Sequence, residues 1–249
     1  MRFAGCLRVS LLLSGLLLVT LCRAGEVAPF RLAAGDLPPF AIERGSASPG
    51  ALGEMVEELA LRLGKPANIE FYPWARALSM AETQSRVAVL PLTRMPDREK
   101  KYRWLVKLYR QNFVFISRSN AGFDLQSLPV MRNKRVAVLR ASPSMMQLQQ
   151  QKFGQLVVAN SVDDMARMLK RDMVDALYGS ETIALHKLHT TGLPRDQLAV
   201  GPVQASGDIW LGGSLDFTEA DVAAWQEAMR TLVRDGTYSR ILKRYNLPE

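Results

Sequence analysis

Few residues of this chain have types and spacings that suggest chemistry. Two histidines, His186 and His189, lie three apart beside Glu181 on a predicted helix, but two imidazoles without a sure third ligand make a weak zinc site. Solvated helix-surface histidines are the simpler reading, and no metal or other cofactor is expected. The only cysteines, Cys6 and Cys22, fall in the N-terminal leader described below, so a thiol nucleophile, a CxxC pair and a thiolate metal site are excluded from the rest of the chain. No nucleophile, base and orienting group stand together as hydrolysis would need. Positive charge is densest from Arg94 to Arg110, where Arg98, Lys100, Lys101, Arg103 and Lys107 also fall. Such a run is either a solvated face or the place where an anionic ligand is held. Aromatic Phe40 and Trp74 are candidates for stacking on a ligand or for core packing, and Arg76 is a candidate second cation.

The elements that must position these groups alternate between short apolar runs and helical patterns, which argues for an α/β architecture with largely parallel sheets. Strands are predicted at 30–34, 69–72, 87–92 and 113–117, with helices at 52–63 and 74–82. A second set follows the loop Asn120-Ala121-Gly122: strands at 135–139, 156–159 and 174–178. The helices of that set open at Ser142-Pro143, with proline at the first position, and at Ser161 as N-cap, and a third runs through His189. One more strand, 209–211, precedes an amphipathic helix from Thr218 that stops at Gly236, and a short helix ends the chain. Two βαβ sets and a final segment belonging to neither imply two lobes joined by two crossings, near 117–123 and 205–213. The expected division is a leader at 1–24, lobe one at 25–118, lobe two at 119–206, and a return to lobe one at 207–249. Ligands of such lobes sit outside the carboxyl ends of the strands, so the pocket is expected in the cleft between them.

The leader is basic at Arg2 and Arg8, apolar over about 13 residues from Val9 to Leu21, and ends at the small residue Ala24. This is the order of a secretory signal, and the apolar run is short for a bilayer core of about 30 Å. Cleavage is expected near Ala24, with a retained anchor or a lipid on Cys22 as the alternatives. Loss of Arg2, Arg8 and Arg23 takes the formal charge from +8 to +5. A periplasmic location follows, and nucleic acid is not an expected partner.

Several short motifs resemble, in their order and spacing, the periplasmic solute-binding proteins of the polar-amino-acid type, often called family 3, with a type II periplasmic-binding fold. They are Leu37-Pro38-Pro39-Phe40, Gly50-Ala51-Leu52-Gly53, Tyr72-Pro73-Trp74-Ala75-Arg76 and Thr93-Arg94-Met95-Pro96-Asp97-Arg98. Later come Arg135-Val136-Ala137-Val138, Val174-Asp175-Ala176, Asp235-Gly236-Thr237 and Arg244-Tyr245. The resemblance implies a hinged two-lobed binding protein, with no catalysis, that acts as a monomer. It would capture a small, carboxylate-bearing solute for a membrane transporter permease or a sensor domain. It also implies a carboxylate clamp at Arg98, with Thr93 or Arg94 compensating for Met95, which stands where the family has threonine. Ser142, after Ala141, occupies a strand-to-helix turn suited to an anion, and is equally placed to be an N-cap alone. Ser180 stands where the family's ammonium-binding aspartate falls, with Glu181 beside it, and Ala88 stands where a strand aspartate is usual. The alternative is an exported lyase or dehydratase built on the same fold, with Glu181 as general acid.

Overall fold

The computed structural model describes residues 29–43, 48–66 and 68–249; the expected leader and its cleavage point lie outside them. In chain order the elements are β1 (Arg31–Ala34), α1 (Ala51–Arg62), β2 (Ile69–Phe71), α2 (Trp74–Thr83), β3 (Val87–Thr93) and β4 (Arg103–Arg118). Next come α3 (Leu128–Met131), β5 (Val136–Leu139), α4 (Pro143–Gln150), β6 (Leu156–Ala159), α5 (Val162–Lys170), β7 (Ala176–Ser180) and α6 (Glu181–Thr190). The chain closes with β8 (Leu198–Val200), β9 (Ala205–Gly213), α7 (Glu219–Arg234) and α8 (Thr237–Arg244).

The strands join in the order β2-β1-β3-β9-β4-β7-β5-β6, with β8 on β4. Parallel βαβ units lie at both ends, β2-β1-β3 and β7-β5-β6, and the long antiparallel pair β4–β9 connects them. This is a two-lobed α/β fold. The first crossing, however, lies inside a strand and not in the loop at 117–123. From Arg103 to Phe113, β4 pairs with β9; from Phe113 to Arg118 it pairs with β7 and β8. The front of β4 escapes a hydrophobic-run reading because charged residues interrupt it: Lys107, Arg110 and Asn112 face solvent between buried Leu108, Tyr109 and Gln111. Antiparallel β9 supplies the hydrogen bonds that hold such a sequence extended.

Local signals explain the helix starts. Ser142, Ser161 and Thr218 each accept a backbone N–H of the first turn into their side chains, at 3.1, 3.0 and 3.1 Å. Thr218 and Asp221 complete a reciprocal capping box. Gly50 enters α1 at φ 87°, where a Cβ would lie 2.7 Å from the Phe40 carbonyl oxygen, so only glycine fits. The first lobe packs one large core on Leu32, Leu52, Met55, Leu90, Leu105 and Trp225. The second packs apolar residues on both faces of its sheet: Met165, Leu169 and Leu188 on one side, Phe115, Val138 and Tyr178 on the other. Val162 and Ile183 of the second lobe join the first lobe's core across the cleft, so the lobes are in contact.

Candidate functional site

The strand ends of both lobes converge on a cavity of about 60 Å³. That is enough to hold more than one water-sized group. The first lobe contributes Leu37, Trp74, Pro91 and Thr93; β4 contributes Gln111 and Phe113. From the second lobe come Ser142 and Ser144 at the start of α4, Val162 and Met165 of α5, Tyr178 and Ser180 of β7, and Ile183 of α6. The wall is mostly apolar, and no ionisable group other than the Tyr178 phenol lines it. That phenol donates to Gln147 Oε1 at 2.7 Å, and burial pushes it well above the usual range, so it is neutral.

Ser180 differs from the other serines that start helices. It precedes α6 as N-cap, yet its side chain makes no capping bond. It is 7% exposed, it lines the cavity, and its Oγ has no hydrogen-bond partner among the described residues. Gln111 shows the same deficit: Nε2 donates to Thr93 Oγ1 at 2.8 Å, while the buried Oε1 has no partner. A buried polar atom left without a bond costs about 1–3 kcal/mol. Two such atoms belong to the lining of one cavity.

Arg98 lies behind this wall. The short 3-10 turn Pro96–Arg98 after β3 brings it under the cleft, where it is 4% exposed. Nη1 donates to the Thr93 carbonyl at 3.1 Å, and Nη2 crosses the cleft to the Ala141 carbonyl at 2.9 Å. Both bonds flank the cavity, since Thr93 lines it and Ala141 precedes Ser142. No carboxylate bonds this guanidinium. Burial pulls it down from its usual value, while the fields of Tyr102, Glu82 and Asp97 work the other way. An arginine stays charged regardless, so a buried cation lies behind the cavity wall with backbone carbonyls as its only hydrogen-bond partners among the described residues. Ala141 itself holds φ 56°, a left-handed conformation that a non-glycine residue adopts at a cost of about 1–2 kcal/mol.

The structure thus gathers Trp74, Thr93, Ser142 and Ser180 around one cavity, with Arg98 against its edge. It does not bring in the other three expected residues. Phe40 is fully buried in the first lobe's core, its ring 5.5 Å from that of Tyr109, because the Leu37–Ala41 turn folds it inward. Arg76 is exposed and stacks over the Tyr72 ring at 5.2 Å; two positions along α2 from Trp74 it points about 200° away. Glu181 is half-buried but absent from the wall, because it starts α6 one residue beyond Ser180 and turns out of the cavity. The acid that a lyase would need is therefore not at the site. Sequence reasoning missed Gln111, Ser144 and Phe113. The signal for Gln111 was an inward polar position between two outward ones in β4, legible only once that strand is known to be continuous.

Next to the cavity lies a wider groove of about 400 Å³, lined by Asp36, Glu43, Tyr72, Asn160 and Asp163. Lys187 spans it, 2.9 Å from Asp163 in the second lobe and 3.8 Å from Asp36 in the first. This is the second polar tie between the lobes.

No family model matches the chain, and no curated protein matches it. Solved structures do. A mutant of ArgBP from T. maritima aligns at 18% identity and TM-score 0.77, covering 87% of this chain and 94% of that one. A histidine kinase sensor domain with similarity to periplasmic binding proteins aligns at 16% and 0.78, covering 87% and 95%. A substrate-binding protein of an ABC uptake transporter from Streptococcus pneumoniae, with bound histidine, aligns at 14% and 0.76, covering 86% and 91%. At these identities the likeness carries the fold, which is that of the type II periplasmic-binding proteins.

Proposed function

We propose that this chain is a family 3 type solute-binding protein that captures a small, carboxylate-bearing molecule between its lobes. It presents that molecule to a transporter permease or to a sensor domain. The observation that carries the reading is Arg98: a cation shielded from water, with no carboxylate partner, beside a cavity whose wall holds two unpartnered polar atoms. A buried charge without a counter-charge is costly, and a ligand carboxylate would supply one through two parallel hydrogen bonds. Thr93, Ser142 and Ser180 add hydrogen bonds and Trp74 an apolar face. The lobes hinge where β4 changes partner, and the ligand favours the closed arrangement by bridging them.

The wider assignment is part of the proposal. The protein is exported by a leader cleaved near Ala24 and works as a periplasmic monomer. Among the described residues no helix is long and apolar enough to cross a membrane. The intact mass of the exported protein checks the leader: a chain starting near Gly25 is expected, and one that keeps the leader, or carries lipid on Cys22, sinks this part. Binding is checked by native mass spectrometry of freshly exported protein. A small molecule should travel with the wild type and be lost from Arg98→Ala. Its retention by Arg98→Ala would remove the arginine from the site.

A further inference from the structure

The cavity also limits what the ligand can carry besides its carboxylate. We propose that the ligand is a short-chain carboxylate that bears no ammonium group and whose hydroxyl, oxo or apolar end meets Ser180 and Gln111. This rests on the binding reading above and narrows it.

An ammonium entering the closed cleft would lose its hydration, and it persists there only beside a negative group. The wall offers none: its polar members are hydroxyls, an amide, a neutral phenol and backbone. The one charge against the cavity is Arg98, which repels a second cation. The acids nearest in the chain to wall residues, Asp36 and Asp163, lie in the outer groove, where Lys187 already faces both. Glu181 is turned out of the cavity, so it supplies no counter-charge either.

The unpartnered atoms agree with this. Gln111 leaves one amide atom free and Ser180 one hydroxyl, and a hydroxyl can donate or accept. Such groups satisfy a neutral hydroxyl or carbonyl, but a lone hydroxyl is a poor match for a desolvated ammonium. Aliphatic Leu139, Val162, Met165 and Ile183 line the rest, matching a short hydrocarbon body. The small cavity matches a short body better than a long one.

The test is a thermal-shift panel on the exported, ligand-stripped protein, in matched pairs that differ only at the α-position. Alanine is compared with lactate, pyruvate and propanoate, and valine with its 2-hydroxy, 2-oxo and unsubstituted counterparts, each at 10 mM. The expected result is a rise of about 5 °C or more from at least one deaminated acid, with no shift from its amino acid. Calorimetric titration should place the two at least tenfold apart. An amino acid that binds as tightly as its deaminated partner overturns the inference and leaves the solute-binding reading standing. Silence from every acid and every amino acid in the panel overturns both. Ser180→Asp, with Ser180→Asn as the uncharged control, keeps the question open to failure from the other side. The aspartate should move the preference toward the amino acid by at least tenfold and the asparagine should not; no movement with aspartate also overturns the inference.

Discussion

The lobe that holds both ends of the described chain and the lobe inserted between β4 and β9 are tied by charges of different reach. In the first, Arg31 meets Glu70 at 2.6 Å, Arg86 meets Asp221 at 2.6 Å, Arg62 meets Asp235 at 2.7 Å, and Arg244 meets Glu54. Three of these join residues 54–86 to residues 221–244. In the second lobe the pairs are Arg118 with Asp172 at 3.6 Å, Arg135 with Asp175 at 2.8 Å, Lys187 with Asp163 at 2.9 Å, and Arg167 with Asp164 one turn away at 2.6 Å. The first lobe is thus closed by segments far apart in the sequence, and the second by segments that all lie within residues 118–187. The lobe with the buried arginine is a cross-braced platform, and the other brings serines and helix starts to it.

The largest expected effect falls on the meeting of the two lobes. Arg98→Ala should weaken ligand binding by about 2–5 kcal/mol, roughly 30-fold or more, while exposed Lys101→Ala leaves it unchanged. Calorimetric titration with the co-purified ligand reads the difference, and equal losses would remove the site from Arg98. Next comes the bracing itself. Asp221 is 4% exposed, accepts from Arg86 and from the Thr218 N–H, and completes the capping box of α7. Asp221→Ala should cost about 3 kcal/mol in urea unfolding, against about 1 kcal/mol or less for Asp175→Ala, whose ion pair is more exposed. Similar costs would erase the contrast between the lobes.

Acid should also find the first lobe. Asp216 suffers from burial, but hydrogen bonds from Ser214, Ser85 and the Arg86 N–H outweigh it and hold its carboxyl down to about 2. Arg31 and Tyr72 hold Glu70 down to about 2 as well. Both folded values lie below the unfolded ones, so this stabilisation is complete above about pH 4.5 and disappears as the pH falls toward 2. All four tryptophans, Trp74, Trp104, Trp210 and Trp225, belong to the first lobe. Their fluorescence should therefore report loosening between pH 4.5 and 2, and a signal flat across that window would contradict the assignment. The smallest change expected is a gain. Ala141→Gly removes the cost of a left-handed alanine and should raise stability by about 1 kcal/mol; a lower melting temperature would show that the turn is not strained.

Much of the fold was legible because its strands and helices carry their own signals. The run at 156–159, the caps at Ser142 and Ser161 and the helix start at Thr218 appear in the structure where the sequence put them. The front of β4 did not, since partners more than 90 residues away, from Ala205 to Gly213, hold it extended. The site was read with the same bias. Arg98, Ser142, Ser180 and Thr93 stand at turns and strand ends that motif spacing can locate. Arg76 and Phe40 share those motifs but point elsewhere, because side-chain direction depends on helix phase and turn geometry, which spacing alone does not give. Gln111 was invisible because its role needs a neighbour across the sheet, Thr93, to consume one end of its amide and leave the other free.

The continuous pairing of β4 with β9 has a mechanical consequence. A crossing made of loose loops would bend freely, and the ligand alone would decide how long the clamshell stays shut. Here the crossing is the continuous β4–β9 pair, laddered from Arg103–Gly213 to Phe113–Ala205, with β3 on the far edge of β9 as far as Ile209. Register shifts between Trp104 and Val106 and between Lys107 and Tyr109 are its compliant points. Gly207 lies where this pair meets Thr93, so close that a Cβ there would come within 2.8 Å of the threonine methyl. If the lobes open and close around a solute as proposed, that motion must twist this pair as a torsion bar, and its stiffness enters the solute's escape rate. Residence time would then be a property of the backbone spring as well as of the pocket.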